Sequence, residues 1–316
     1  LPQPNHAQRR QWITRALHRC QAAGLTGVHE ICTPHADLMT LRRLAGEDGL
    51  PVRVAAFLHA DDPANEALLC AGPAREGRLS VVGAKLFCDG ALGSRGAWLS
   101  APYADQPDTS GVQIVHGPAL VERVIRYGRA GFAVAVHGIG DAAVDEIIDA
   151  FAQARGAGIE SPLRLEHAQI VSPNAVARLA ALDIICAVQP IHAIEDAAWF
   201  ESRIGPARSR WAYRLGSLCN AGVRVVLGTD APISRVDPLA GLRAAISSGR
   251  PRAGAEALTT EAALRCHSVA AAYAAGEQIP PTLVGRAGDF TLMDGDPLSG
   301  KDLEKIGVVG TVVDGR

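Results

Sequence analysis

At 316 residues the chain has room for one large α/β domain or two small ones, and a hydrophobic content of 48% is ample for a core. A formal net charge of −2 without a basic cluster excludes the electrostatic footprint of a nucleic-acid-binding protein, and no apolar run reaches the roughly 20 residues a membrane helix needs. Seven cysteines without a C-x-x-C pair exclude a disulfide scaffold or zinc ribbon and fit reduced thiols in a cytoplasmic protein.

The chain starts LPQPNHAQRR, with neither an initiator Met nor a signal-peptide core, so the expectation is that its beginning was removed or that it is a piece of something longer. Residues 6–23 read as an amphipathic helix with Trp12, Ile13, Ala16, Leu17 and Cys20 on one stripe, stopped by Gly24. The apolar segment LTGVHEI follows. The unit then repeats: helix 37–45 and strand VRVAAFL, helix 64–70 and strand VVGAKLF, helix 118–130 and strand FAVAV, helix 141–155 and strand LRLEH. Helix 172–182, with Ser172 as N-cap, leads to DIICAVQP, and helix 209–221 leads to VRVVLGTD. Helices near 237–248 and 259–274 close the series. Residues 89–117 form a long Gly/Pro/Ser-rich connection, and GRAGDFTLMDGDP and VGTVVDGR read as two short strands after residue 280.

Alternating strands and helices, with each strand a continuous apolar run, indicate a parallel sheet covered on both faces. Seven strands are visible. Reactive residues sit where four of them end: Lys85, His137, His167 and Asp230. Ligands spread over four strand ends converge more naturally in a (β/α)8 barrel than at the single switch point of a doubly wound sheet. The expected fold class is therefore α/β, a TIM-type barrel showing seven of its eight strands.

Lys85 is the only lysine in the first 300 residues and stands between Ala84 and Leu86. Burial disfavours ammonium and favours the neutral, nucleophilic amine. Imidazoles and a carboxylate are ligands for divalent metal, which generates hydroxide near neutral pH. A neutral lysine can also capture carbon dioxide as a carbamate. A competing pattern, Gly138-Ile139-Gly140-Asp141-Ala142-Ala143 between strand and helix, fits a dinucleotide fingerprint, but it puts Asp141 where pyrophosphate would dock.

The segments GAKLFCDGALGSRGAWLS, VHGIGDAAVDEIIDAF, LRLEHAQIV, CAVQPIHAIED, LGTDAPI and GRAGDFTLMDGDPL together resemble the amidohydrolase superfamily, in its YtcJ-like amidohydrolase-3 branch. The resemblance runs from about residue 8 to the end. It implies a metal-dependent hydrolase of amide or other non-peptide C–N bonds, working through metal-activated water. One or two divalent ions, zinc foremost, are implied at His137, His167, Asp230 and Lys85, the lysine either as amine or as carbamate, with Asp230 catalytic. It further implies a barrel over residues 1–280 and, over 281–316, the C-terminal strands of a composite β-sandwich.

One departure bears on activity. The family's first strand ends in H-x-H, and no H-x-H occurs in these 316 residues. The expectation is a chain lacking its N-terminal segment, with exposed flanks that favour association. The alternative is a catalytically impaired protein that retains a metal or ligand site. Asp89, Arg95 and His192 are the candidate substrate-binding residues: Arg95 by its planar fork, His192 by its place after a strand end, Asp89 just past the Lys85 strand. The partners expected are a small-molecule substrate and, at most, a second copy in a homodimer, with neither nucleic acid nor membrane.

Overall fold

The computed structural model describes residues 3–247, 256–277, 288–299 and 303–316. Among these residues ten strands form: β1 (Gly27–Thr33), β2 (Arg53–His59), β3 (Ala74–Glu76), β4 (Leu79–Phe87), β5 (Ala133–Gly138), β6 (Leu163–His167), β7 (Ile185–Val188), β8 (Arg224–Leu227), β9 (Phe290–Met293) and β10 (Val308–Val312). The helices are α1 (His6–Ala22), α2 (His35–Gly46), α3 (Glu66–Ala71), α4 (Gly117–Arg129), α5 (Asp141–Gly156), α6 (Pro173–Ala181), α7 (Pro190–Glu195), α8 (Phe200–Ser209), α9 (Leu215–Asn220), α10 (Pro238–Ser247), α11 (Thr260–His267) and α12 (Val269–Ala274). Seven strands pair in parallel in the order β1-β2-β4-β5-β6-β7-β8, and β3 adds an antiparallel edge to β4.

The sheet is curled into an open half-barrel. His29 on β1 reaches Arg164 on β6, Nη1 to Nδ1 at 2.7 Å, although three strands lie between them. Arg164 also stacks 5.3 Å from the Phe57 ring of β2. Side chains that point outward, among them Leu58, Leu86, Val134, Leu165, Cys186 and Val225, pack with Leu120, Ile147, Phe151 and Leu179 of the helices in one continuous core. Each fully buried Leu or Phe there contributes roughly 1.5–3 kcal/mol. Local signals set the helix starts: Asn5 and Gln8 form a capping box on α1, Ser172 caps α6 and Thr259 caps α11.

Several expected boundaries shift. The helix expected at 259–274 breaks at Ser268 (φ −113°, ψ −77°), so α11 packs outside the sheet while α12 turns onto its concave face. There Ala270, Ala271 and Ala274 meet Ile185, Ala187 and Val226, and the Ala271 carbonyl meets the His29 ring. α7 and α8 occupy a stretch expected as loop, and the helix expected from 209 begins at Leu215. The boundary expected at 280–281 lies outside the described residues.

β9 and β10 form a separate antiparallel pair. They are tied to the sheet chiefly by charge: Arg53 bonds Asp289 (Nε to Oδ2 2.5 Å) and Asp314, and Arg78 bonds Asp314 (Nε to Oδ2 2.7 Å). Hydrogen bonds from Arg78 and Arg53 hold the Asp314 carboxyl below its ordinary value. A depressed carboxyl pKa gives stabilisation that is present above the unfolded value of about 3.9 and lost as pH falls through the folded one. Thermal melts from pH 6 to pH 3 should show a steeper loss for the native protein than for Asp314→Asn, which starts lower at pH 6.

Candidate metal centre

The concave face of the sheet is polar where its strands end. On β6 the sequence Leu-Arg-Leu-Glu-His sends the leucines outward and Arg164 and Glu166 inward, both about 5% exposed. The two form an ion pair, and Arg164 Nη2 also donates to Glu166 Oε2 at 3.3 Å. Lys85 projects from β4 into the same space, 4% exposed, with Nζ 5.0 Å from the centre of the Phe87 ring. Burial pulls the Lys85 pKa down to about 8; Glu166 and Asp230 oppose this and the Arg164 cation reinforces it. Neutral amine is thereby within reach at physiological pH.

His137 and His167 end the neighbouring strands β5 and β6. Register pairs His137 with Glu166 and Gly138 with His167. His167 and Ala168 both adopt left-handed backbone (φ 72° and 43°), which turns the chain sharply at the strand end and brings the two rings edge to face. Their centroids are 4.4 Å apart at 65°. Gln189 Nε2 donates to the Ala187 carbonyl, so its Oε1 faces His167 Nδ1 at 2.8 Å and accepts a hydrogen bond from the N–H there. The Nε2 lone pair of His167 is left for another partner. His137 Nε2 is buried without a hydrogen bond, 3.4 Å from Asp89 Oδ1.

Burial, with Lys85 adding to it, lowers His167 to about 3, and burial, His167 and Lys85 hold His137 well below its ordinary value. Both imidazoles are neutral at pH 7, as metal ligands must be. Asp230 follows β8 in left-handed backbone (φ 54°) at the exposed rim. Surrounding protein raises its carboxyl pKa, while His192 and Lys85 pull it down. His192, on α7, shares a small cavity of about 30 Å³ with His167, Gln189 and Tyr213, and its buried Nε2 has no hydrogen bond.

Two candidate substrate-binding residues are engaged elsewhere. Asp89 is fully buried, and its carboxylate accepts from the backbone N–H groups of Trp98 (2.9 Å), Ile139 (3.1 Å) and Gly140 (2.8 Å). Burial lifts its pKa to about 7 against those three donors. It clamps the long connection onto the β5–α5 turn. Arg95 forks onto Asp105, Nε to Oδ1 at 3.2 Å and Nη2 to Oδ2 at 2.9 Å, within that same connection. The dinucleotide reading also meets an obstacle: Asp141 accepts from Ser100 N at 3.0 Å at the start of α5, and a Cβ on Gly140 would lie 1.9 Å from the Trp98 carbonyl oxygen. The connection fills the place of a pyrophosphate.

Three inward residues were not singled out from the sequence as site residues: Arg164, Glu166 and Gln189. Strand alternation in LRLEH carries the signal for the first two, since a charge every second position in an apolar strand marks the other face.

Among the described residues no three His, Cys, Asp or Glu side chains converge to hold a metal. The donors that do approach one another are two neutral imidazoles and an amine, with Asp230 at the rim. The orphaned His137 Nε2 and the free Nε2 of His167 fit a divalent ion.

Comparison with known proteins agrees with this architecture. The chain is 31% identical to a putative amidohydrolase, YtcJ, of Bacillus subtilis over 96% of its own length and 60% of the relative's. It is 29% identical to the N-substituted formamide deformylase of Arthrobacter pascens over 60% of this chain and 37% of that one. The crystal structure of an uncharacterized metal-dependent hydrolase from Pyrococcus furiosus superposes with a TM-score of 0.79 at 32% identity, covering 86% of this chain and 56% of that one. The chain thus spans little more than half the length of such relatives. A sequence model of the amidohydrolase family matches residues 1–316 throughout, and with the half-barrel and its strand-end residues this makes the chain a member of the amidohydrolase family.

Proposed function

We propose that this chain carries the larger part of a hydrolytic site that opens an amide or other non-peptide C–N bond with metal-activated water. The observation that supports it most is the packing of two neutral imidazoles, His137 and His167, at 4.4 Å beside a buried lysine. His137, His167 and Lys85 would hold a divalent ion, zinc in this reading, with Lys85 as amine or as carbamate. A bound divalent ion supplies Lewis acidity toward a carbonyl and acidifies water.

The chain's own groups do the rest. Gln189 fixes the tautomer of His167 through Nδ1, and the Arg164–Glu166 pair keeps a fixed charge arrangement beneath Lys85. Asp230, at the rim and with a raised pKa, takes a proton from water at Oδ and delivers it to the leaving nitrogen. The name of the Arthrobacter pascens relative supports a C–N bond as the target, and N-substituted formamides head the substrate panel. The same reading sets the protein in the cytoplasm, with a small molecule as substrate.

Asp230→Asn separates the two halves of this proposal. Hydrolysis should fall by about 10²–10⁴-fold while zinc stoichiometry, measured by elemental analysis, is kept. Zinc bound by the native protein with no turnover on any amide would favour the impaired, ligand-holding alternative. Failure to bind zinc at all would overturn the proposal.

A further inference from the structure

Alternation along β2 sends Val54, Ala56 and Leu58 into the outer core, and Phe57 and His59 to the concave face. Parallel register sets His59 beside Lys85 of β4, and sets Phe87, two residues further on, beside His137 of β5. A stepped row of side chains therefore crosses three strands on one face: His59, Lys85, Phe87, His137. The ring spacings agree. The His59 and Phe87 centroids are 6.4 Å apart, and those of Phe87 and His137 are 5.6 Å apart. All three rings are half-buried.

Metal binding and proton transfer leave His59 without a part, yet its ring is held in place. The Asp61 N–H donates to Nδ1 at 3.1 Å, which puts the proton of a neutral imidazole on Nε2. The His59 carbonyl accepts from Asn65 Nδ2 at 3.0 Å and from Asp62 N at 3.2 Å. Ala60 N donates to the Lys85 carbonyl at 3.2 Å, so the end of β2 is fixed on its neighbour. Among the described residues nothing accepts from His59 Nε2–H.

We propose that His59 sets substrate specificity: its Nε2–H donates to a neutral carbonyl oxygen, separated from the scissile C–N bond by an aromatic ring that lies along Phe87. This rests on the hydrolytic reading only for the position of the scissile bond, at His137 and His167. From there the body of a substrate continues along the row, meets the Phe87 ring in the offset or edge geometry aromatic pairs prefer, and ends at His59. A neutral acceptor suits the place. The imidazole is itself neutral, and Asp61 and Asp62 follow it directly. The His35 N–H holds the Asp62 carboxyl below its ordinary value, so an anionic substrate end would meet a like charge.

The test is equilibrium binding to the zinc-loaded full chain, read by calorimetry. The probes are N-benzylmethanesulfonamide, which resists hydrolysis, and its para-carbamoyl and para-carboxylate derivatives. The native protein should bind the para-carbamoyl compound roughly 2- to 12-fold more tightly than the parent, the worth of one net hydrogen bond. His59→Ala should abolish that preference, and His59→Gln, which again offers an N–H donor, should restore it. Taking the ratio of the two probes within each protein removes any general effect of the substitution. If the variants misfold, the Nε2–H signal of His59 in histidine-labelled native protein decides: it should shift with the para-carbamoyl compound and stay with the parent. Equal affinities in the native protein overturn the proposal. So does an undiminished preference in His59→Ala, binding of neither compound, or a larger gain for the para-carboxylate. Turnover of N-benzylformamide is measured separately. Its absence, with the His59-dependent preference intact, removes the hydrolytic reading and leaves this one standing.

Discussion

Replacing His137 or His167 by alanine is expected to abolish stoichiometric zinc binding while leaving the fold in place. Removing a partner that merely supports a metal ligand weakens affinity by roughly 10–100-fold, and loss of the ligand itself should exceed that. The fold survives because His137 Nε2 makes no hydrogen bond to lose, and because the outer core packs on the other face of β5 and β6. Lys85→Met sharpens the result. Among the described residues no hydrogen bond or ion pair holds the Lys85 amine, and burial works against its charged form. A thioether of similar length should therefore raise the melting temperature even as zinc binding falls. Elemental analysis, calorimetric titration and thermal melts on the three variants check this. A lysine kept for structure would give the opposite pair of outcomes, a lower melting temperature with zinc binding unchanged.

Asp89→Ala should bring the largest loss of stability among the substitutions considered. It leaves three buried N–H donors, at Trp98, Ile139 and Gly140, without an acceptor. Each unsatisfied group costs about 1–3 kcal/mol, and breaking a buried charged arrangement typically costs about 3–5 kcal/mol in all. Asp89→Asn keeps one amide oxygen and should lose less. Urea unfolding of both variants measures the difference. An unchanged transition midpoint for Asp89→Ala would remove Asp89 from its place as the clamp of the 89–117 connection.

The parallel part of the sheet was legible because each of its strands is an apolar run between helix signals, and all seven appear where the runs predicted, whereas the three residues of β3 carry no such run. Short elements were not: α7 opens on Pro190, and α8 is kinked by Gly205 (φ 79°) before Pro206, so neither carries a helical period long enough to recognise. The break at Ser268 escaped for a different reason. The alanines of α12 are compatible with either face of the sheet, and only tertiary contact decides between them. Lys85, His137 and His167 were readable as strand-end residues, but their mutual distance depends on how far the sheet curls. That curl is set by contacts such as His29 with Arg164, far apart in sequence. Asp89 and Arg95 looked like substrate contacts because charge in a Gly-rich connection reads as free; backbone donors and Asp105 occupy them instead.

The long connection has a core of its own. Leu92, Ala97, Leu99 and Tyr103 pack with Ile139, Ile170, Phe200 and Ile204, in a cluster that shares no residue with the one behind the sheet. Arg203 and Arg208 of α8 bind carbonyls of this connection, at Gly93 and at Ala101 and Pro102. Roof and reaction floor are therefore modular. The roof would then accept a different ligand shape while the strand ends that carry Lys85, His137 and His167 stay as they are, provided that its joints to the sheet are retained: the carboxylate at position 89, the Ser100–Asp141 bond, and Trp98 and Val115 in the outer core.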